Sequence, residues 1–239
     1  MTSADSSTSQ PMGSGEMFDA IADRYDLVNR IISLGIDQRW RRLTVDSLHI
    51  DGPANVLDLA TGTGDLAIMI ARRCPQAIVR GVDPSANMLA IGAQKVTAAG
   101  LGERVEMREG NAHALPFEDN HFDAATIAFG IRNVPDRPLG LRELARVTKP
   151  GGRVGILELS EPRKGPMGAL ARLHVHHIVP TVGAMLSGKR EYRYLQRSIA
   201  AFPPPTEFRD LMLDNGFAEV EITPLTFGAC ALFVGTVAS

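Results

Sequence analysis

Short apolar runs alternate with amphipathic stretches along most of the chain from residue 54 onward. The runs cover 56–59, 78–82, 105–107, 124–128 and 154–158. Residues 65–73, 86–98 and a stretch near 137–148 carry apolar positions at helical spacing instead. Such alternation predicts strands and helices in turn, and hence a doubly wound α/β fold on a parallel sheet. Ahead of it, Phe18, Ile21, Ala22, Tyr25, Val28 and Ile32 recur at helical spacing, which predicts a helix over 16–32. A second helix is expected over 37–48, with Asp37 as its N-cap. The far end breaks the alternation. Residues 164–201 read as mostly helical, Pro203-Pro204-Pro205 interrupts, and a short helix is expected over 206–214. Strands follow near 217–223 and 228–236, with Pro224 and Gly228 bounding the link. Strands joined so tightly pair antiparallel, because a parallel pair needs a crossover of about a dozen residues or more.

Composition narrows the setting. Residues 1–15 are rich in Ser and Thr without apolar periodicity, so a disordered tail is expected there and a single domain over 16–239. Hydrophobic residues make up 44% and charged residues 22%, ordinary globular values. The net charge of -2, with no lysine/arginine block, argues against a nucleic-acid partner. Cys74 and Cys230 are the only cysteines, too few for a disulfide framework or a metal cage, so a cytoplasmic location and no metal are expected. Signal-peptide features and long apolar runs are lacking, so no span is expected.

Candidate chemistry gathers where the strands end. Asp58-Leu59-Ala60-Thr61-Gly62-Thr63-Gly64-Asp65 stands where the first strand turns into its helix. Gly62 and Gly64 would let the backbone turn tightly and approach a ligand closely; a purely structural turn is the plainer reading. Ala67 completes a Gly-x-Gly-x-x-Ala spacing, which leaves a nicotinamide dinucleotide open on spacing alone. Asp58 places a carboxylate that would hold the water or amine network of a cationic methionine moiety, and Asp65 is an alternative for that amine. Asp83 follows the second strand about 20 residues after the glycines, where an acid accepts from ribose hydroxyls; a helix cap is its alternative role. Asn111 and the Ala112 N–H, after the third strand, would meet an adenine edge.

Four stretches carry a more specific resemblance. The first is Phe18-Asp19-x-Ile21-Ala22-x-x-Tyr25-Asp26-x-x-Asn29, continuing to Ser33-Leu34-Gly35 and Trp40-Arg41. The second is the glycine loop. The third runs from Asn111-Ala112-x-Ala114-Leu115-Pro116-Phe117 to Phe129-Gly130-Ile131-Arg132-Asn133-Val134. The fourth joins Lys149-Pro150-Gly151-Gly152, Glu158, His177-x-Val179-Pro180 and Tyr192-Arg193-Tyr194-Leu195. Together, over about 16 to 236, they resemble the ubiquinone/menaquinone biosynthesis C-methyltransferases. The terminal antiparallel hairpin resembles the class I methyltransferase fold in the same way. The resemblance implies a Rossmann-like, seven-stranded sheet with added N-terminal helices and a helical insertion before the last strands. It implies S-adenosyl-L-methionine as cofactor, held by Thr63, Asp83, Asn111 and Ala112. Ala128 departs from the serine often found in the family, so a hydroxyl contact is absent there.

The implied reaction is C-methylation of a prenylated quinol, demethylmenaquinol or a benzoquinol precursor of ubiquinone. Its ring carbon becomes nucleophilic when a hydroxyl of pKa roughly 10 loses its proton. Arg132 and Asn133, just past the fourth strand, lie where open α/β sheets bind ligands, and a guanidinium there would favour a phenolate. Arg132 has a structural salt bridge as its alternative role. Tyr25, on a lid expected over 16–48, and His177, in a substrate-side insertion over 164–201, are further catalytic candidates. His174 and His176 read as surface or entry residues. Apolar residues over 166–186 would line a prenyl channel and touch the inner membrane surface transiently, or else simply pack on the core. A homodimer is compatible with this reading. The rival readings are an O- or N-methyltransferase of the same fold and a non-enzymatic cofactor-binding module.

Overall fold

The computed structural model describes Ser33, residues 35–160 and residues 189–239, the side chains of 189–193 and 195 excepted. The expected tail, the helix over 16–32 with Tyr25, and the insertion up to 188 with His174, His176 and His177 lie outside the described residues.

The described chain opens with α1 (Asp37–Ser47) and β1 (Ala54–Leu59). Then come α2 (Asp65–Arg73), β2 (Ala77–Asp83), α3 (Ala86–Ala98), β3 (Val105–Glu109) and β4 (Phe122–Ala128). After a 3-10 turn at Ile131–Asn133 follow α4 (Arg137–Val147) and β5 (Thr148–Leu159). The end is built from α5 (Lys189–Ala200), α6 (Pro205–Leu213), β6 (Phe217–Leu225) and β7 (Cys230–Val237). One seven-stranded sheet has the order β3-β2-β1-β4-β5-β7-β6. Strands β1 to β5 pair parallel, whereas β7 runs antiparallel to both β5 and β6. No helix among the described residues is long and apolar enough to cross a membrane.

The unbroken apolar runs have a direct cause: parallel strands covered on both faces have no solvated side. In β1, Val56 packs with Leu66, Ile70, Val79 and Val105 on one face. Leu57 and Leu59 pack with Ile127, Leu141, Phe208 and Phe233 on the other. Each such side chain contributes roughly 1.5–3 kcal/mol when fully buried. The order in which strands are added reverses between the parallel β1 and β4, and that switch point opens a crevice at the carboxyl ends of both strands.

Helix α1 corrects one expectation. Its N-cap position is Ile36, so Asp37 is the first helical residue and caps nothing. The Asp37 carboxylate instead accepts from Ser33 Oγ at 2.8 Å and Gln38 Nε2 at 3.0 Å. Trp40, Thr44 and Val45 are buried, and Trp40 Nε1 donates to Thr226 Oγ1 at 3.0 Å across the sheet edge. Residues 37–47 therefore pack against the edge of the sheet.

Candidate active site

A cleft opens at the switch point between β1 and β4. Its walls include Leu59, Ala60, Gly62, Asp83, Met88, Asn111, Ala112, Phe129, Asn133 and Val134. The two strand exits that frame it are held in unusual backbone conformations. Ala60 has φ 52° and Phe129 has φ 58°, the left-handed region that costs a non-glycine residue of order 1–3 kcal/mol. Gly130 is required between them, since a Cβ there would stand 2.5 Å from the Ala60 Cβ. The close approach of the two exits lets both backbones face one ligand.

Asp83 ends β2 and reaches back to the glycine loop. Its Oδ2 accepts from Gly62 N–H and its Oδ1 from Ser85 N–H, both at 2.9 Å. The helix-cap role belongs to Ser85, whose Oγ accepts from Met88 N–H at 3.1 Å. Asp83 thus fixes the loop while lining the cleft. Asn111 also lines the cleft, and its Oδ1 accepts from His113 N–H at 2.9 Å. That bond pins the amide in place, with its Nδ2 and a second carbonyl lone pair remaining.

Other predicted residues stand behind the cleft. Thr63 is buried, and its hydroxyl accepts from Lys95 Nζ at 3.1 Å. Asp65 pairs with the same Lys95. Gly64, at φ 78°, is the left-handed entry to α2, and the neighbouring Gly62 has φ 55°. Ala128 lines the cleft with no hydroxyl to offer. Met88, Pro84 and His113 join the lining without having been singled out in the sequence. Met88 carried a signal of its own, five residues past Asp83 on the first turn of the next helix, where it faces the crevice.

Asp58 is almost wholly buried beneath the loop, accepting from Thr61 Oγ1 at 2.6 Å and Thr126 Oγ1 at 2.8 Å. Burial dominates over these bonds and pushes its pKa up to about 6. Because the folded value lies above the unfolded one, the native state holds the proton more tightly. The stabilising contribution is complete below about pH 4 and is lost as pH rises through about 6. Replacing Asp58 by Asn should therefore flatten the stability profile between pH 4 and 6 by up to about 3 kcal/mol, read by urea melts across that range.

Past β4, the Arg132 guanidinium is buried and paired. Its NH1 donates to Glu158 Oε1 and to the Phe129 carbonyl, each at 2.6 Å. Glu158, fully buried at the end of β5, also accepts from the Arg132 and Leu159 N–H groups. The salt bridge weighed as the alternative role of Arg132 is thus present, and NH1 braces the loop that presents Phe129 and Asn133. Asn133 lines the cleft, and its Oδ1 accepts from the Tyr194 hydroxyl of α5 at 3.1 Å. Burial pushes the Tyr194 pKa up, while the Arg132 and Arg137 charges act in the opposite sense. Arg137 Nη2 donates to the Arg132 carbonyl at 3.1 Å, and among the described residues no carboxylate pairs with Arg137. Among the described residues, two guanidinium groups and one buried carboxylate stand near Asn133.

Comparison with known proteins adds a second line of observation. The family model described as the ubiE/COQ5 methyltransferase family matches residues 5–237. A demethylmenaquinone methyltransferase of Thermus thermophilus is 48% identical over 220 residues, covering 92% of this chain and 99% of that protein. A ubiquinone/menaquinone biosynthesis C-methyltransferase UbiE of Geotalea daltonii is 42% identical, covering 92% and 94%. Among solved structures, a SAM-dependent methyltransferase from Aquifex aeolicus has a TM-score of 0.59 at 18% identity, covering 83% of this chain and 89% of that one. The phosphoethanolamine N-methyltransferase 2 of Haemonchus contortus, in complex with S-adenosyl-L-methionine, has a TM-score of 0.71 at 16% identity, covering 96% and 61%. At such identities these two structures speak for the class I fold.

Proposed function

The chain belongs to the ubiE/COQ5 methyltransferase family, and from that premise we propose that it methylates a ring carbon of a prenylated quinol of the demethylmenaquinol type. The observation that carries the reading is the Phe129–Asn133 loop, which closes one wall of the cleft and is braced from behind by the buried Arg132–Glu158 pair.

The cleft suits S-adenosylmethionine as methyl donor. Gly62 and the strained Ala60 admit backbone contact, Asp83 and Asn111 offer polar edges for a ribose and a base, and Leu59, Met88 and Val134 give apolar faces between them. When bound, that donor supplies a methyl group on a sulfonium sulfur. The protein has two remaining tasks: to orient the acceptor ring and to favour its phenolate. Orientation falls to Asn133, whose position is fixed by Tyr194 on one side and the 3-10 turn on the other. The phenolate is favoured by the Arg132 and Arg137 charges, which at the Tyr194 hydroxyl oppose the larger upward push of burial. A dry, oriented site then accelerates the cancellation of phenolate against sulfonium charge. Tyr25 and His177 remain proposed acceptor contacts, and the apolar residues of 166–186 a proposed path for the prenyl tail at a membrane surface. We place the enzyme in the cytoplasm and leave a homodimer as compatible with this arrangement.

The test is donor-label transfer. A reduced demethylnaphthoquinol should gain labelled methyl from the donor, and its oxidised quinone, lacking a hydroxyl to ionise, should gain none. Equal labelling of both forms, or of neither, is incompatible with the reading.

A further inference from the structure

Arg41, on the inner face of α1, has a side chain only 9% exposed, yet its Nε has no hydrogen-bond partner among the described residues. Asp37, one turn earlier, approaches that atom at 3.6 Å, beyond hydrogen-bond reach, and its own oxygens accept from Ser33 and Gln38. A guanidinium carries five donors, and buried polar groups are nearly always satisfied. The group is also aimed. Its central carbon lies 5.2 Å from the ring centroid of Phe129, a wall of the cleft. Its field reaches the buried Asp58 carboxylate under the glycine loop, although the two form no ion pair. Arg41 is thus held by Asp37 only as a long ion pair and keeps an unsatisfied Nε, while the Asp58 anion stands nearby behind the cleft.

A zwitterionic amino-acid head group matches that pattern of charge. We propose that Arg41 recognises the carboxylate of the methionine moiety of S-adenosylmethionine, with Asp58 setting a negative potential for the neighbouring ammonium. The proposal rests on the donor reading above. It gives α1 a purpose beyond packing, because Trp40 and Phe129, with ring centroids 6.3 Å apart, hold the helix against the cleft at the height where Arg41 acts.

Calorimetry on the full-length protein separates this role from a structural one. The probes are S-adenosylhomocysteine and its decarboxylated analogue, which keeps the adenosine, the thioether and the amine. Wild type should prefer the intact ligand by about tenfold or more, the scale of one charge-assisted bidentate contact. Arg41→Met should bind both ligands within about twofold of each other and should match wild type on the decarboxylated one. Arg41→Lys should keep a reduced preference, since an ammonium lacks the planar fork. Equal binding of both ligands by wild type would overturn the proposal. So would a full preference in Arg41→Met, or a loss of affinity in it shared equally by both ligands. If Arg41→Met does not fold, wild type and Arg41→Lys decide, and an undiminished preference in Arg41→Lys is then the contrary result. Failure of wild type to bind either ligand would instead remove the donor reading, and the proposal with it.

Discussion

Replacing Arg132 by Met should lower kcat by about a hundredfold or more, the scale for losing one preorganised electrostatic group, with little change in affinity for S-adenosylhomocysteine. The expectation follows from two observations. Arg132 NH1 braces the carbonyl of Phe129, the residue whose left-handed backbone shapes the cleft wall. Its charge, with that of Arg137, also opposes the burial that raises the pKa of the Tyr194 hydroxyl beside Asn133. The proposed adenosine contacts, Asp83, Asn111 and Met88, line the cleft and should survive. Activity of the variant should go on rising with pH beyond the wild-type plateau, as bulk hydroxide replaces the lost bias toward phenolate. Arg132→Lys should restore little, because an ammonium cannot serve Glu158 and Phe129 from one planar group. A variant with normal kcat and weakened cofactor binding would relocate Arg132 to the donor site.

Glu158 supplies the larger stability effect. It is fully buried and accepts from the Arg132 side chain, the Arg132 backbone and Leu159. Glu158→Ala strands a buried guanidinium, which costs about 3–5 kcal/mol and should lower Tm by roughly 6–20 °C at this chain length. The double variant Arg132→Met/Glu158→Gln removes both charges together and should recover most of that stability, since a buried ion pair gains little over neutral groups of similar size. It should not recover kcat. That separation between a restored fold and an unrestored rate is the signature of an electrostatic contribution beyond bracing. Recovery of both would reduce the pair to a structural brace.

The parallel sheet was legible because its strands are buried on both faces, so that 56–59, 78–82 and 124–128 stand out as apolar runs against amphipathic helices. Helices α2 and α3 match the spacing-based bounds, 65–73 and 86–98. Strand ends were less visible. Lys149-Pro150-Gly151-Gly152 reads as a turn, yet β5 begins at Thr148, which pairs with Phe122 before the register shifts to Ala124 and Arg153. Pro224 looks like a strand terminator but lies inside β6, an edge strand paired only with β7, where one missing donor leaves the ladder intact. The turn there is made by Thr226, Phe227 and Gly228, all at positive φ.

Within the site, a linear motif identifies the loop and leaves side-chain direction open. Asp83, Asn111, Ala112 and Gly62 line the cleft as spacing suggested. The Thr63 hydroxyl, Asp65 and Arg132 NH1 turn instead to Lys95, Lys95 and Glu158, partners distant in sequence that no local pattern announces. The environment of Arg41 was equally hidden, because its unsatisfied Nε depends on its ion-pair partner Asp37 being hydrogen-bonded to Ser33 and Gln38.

The central claim, methyl transfer to carbon on a quinol ring, is tested most directly by the product formed by the purified protein. Reduced demethylnaphthoquinol and S-adenosylmethionine should yield a compound heavier by one methylene that still oxidises in air to a quinone, because both hydroxyls are intact. Mass and redox behaviour can be read on the same sample. A product of the same added mass that resists oxidation would carry its methyl on oxygen, and would contradict the account.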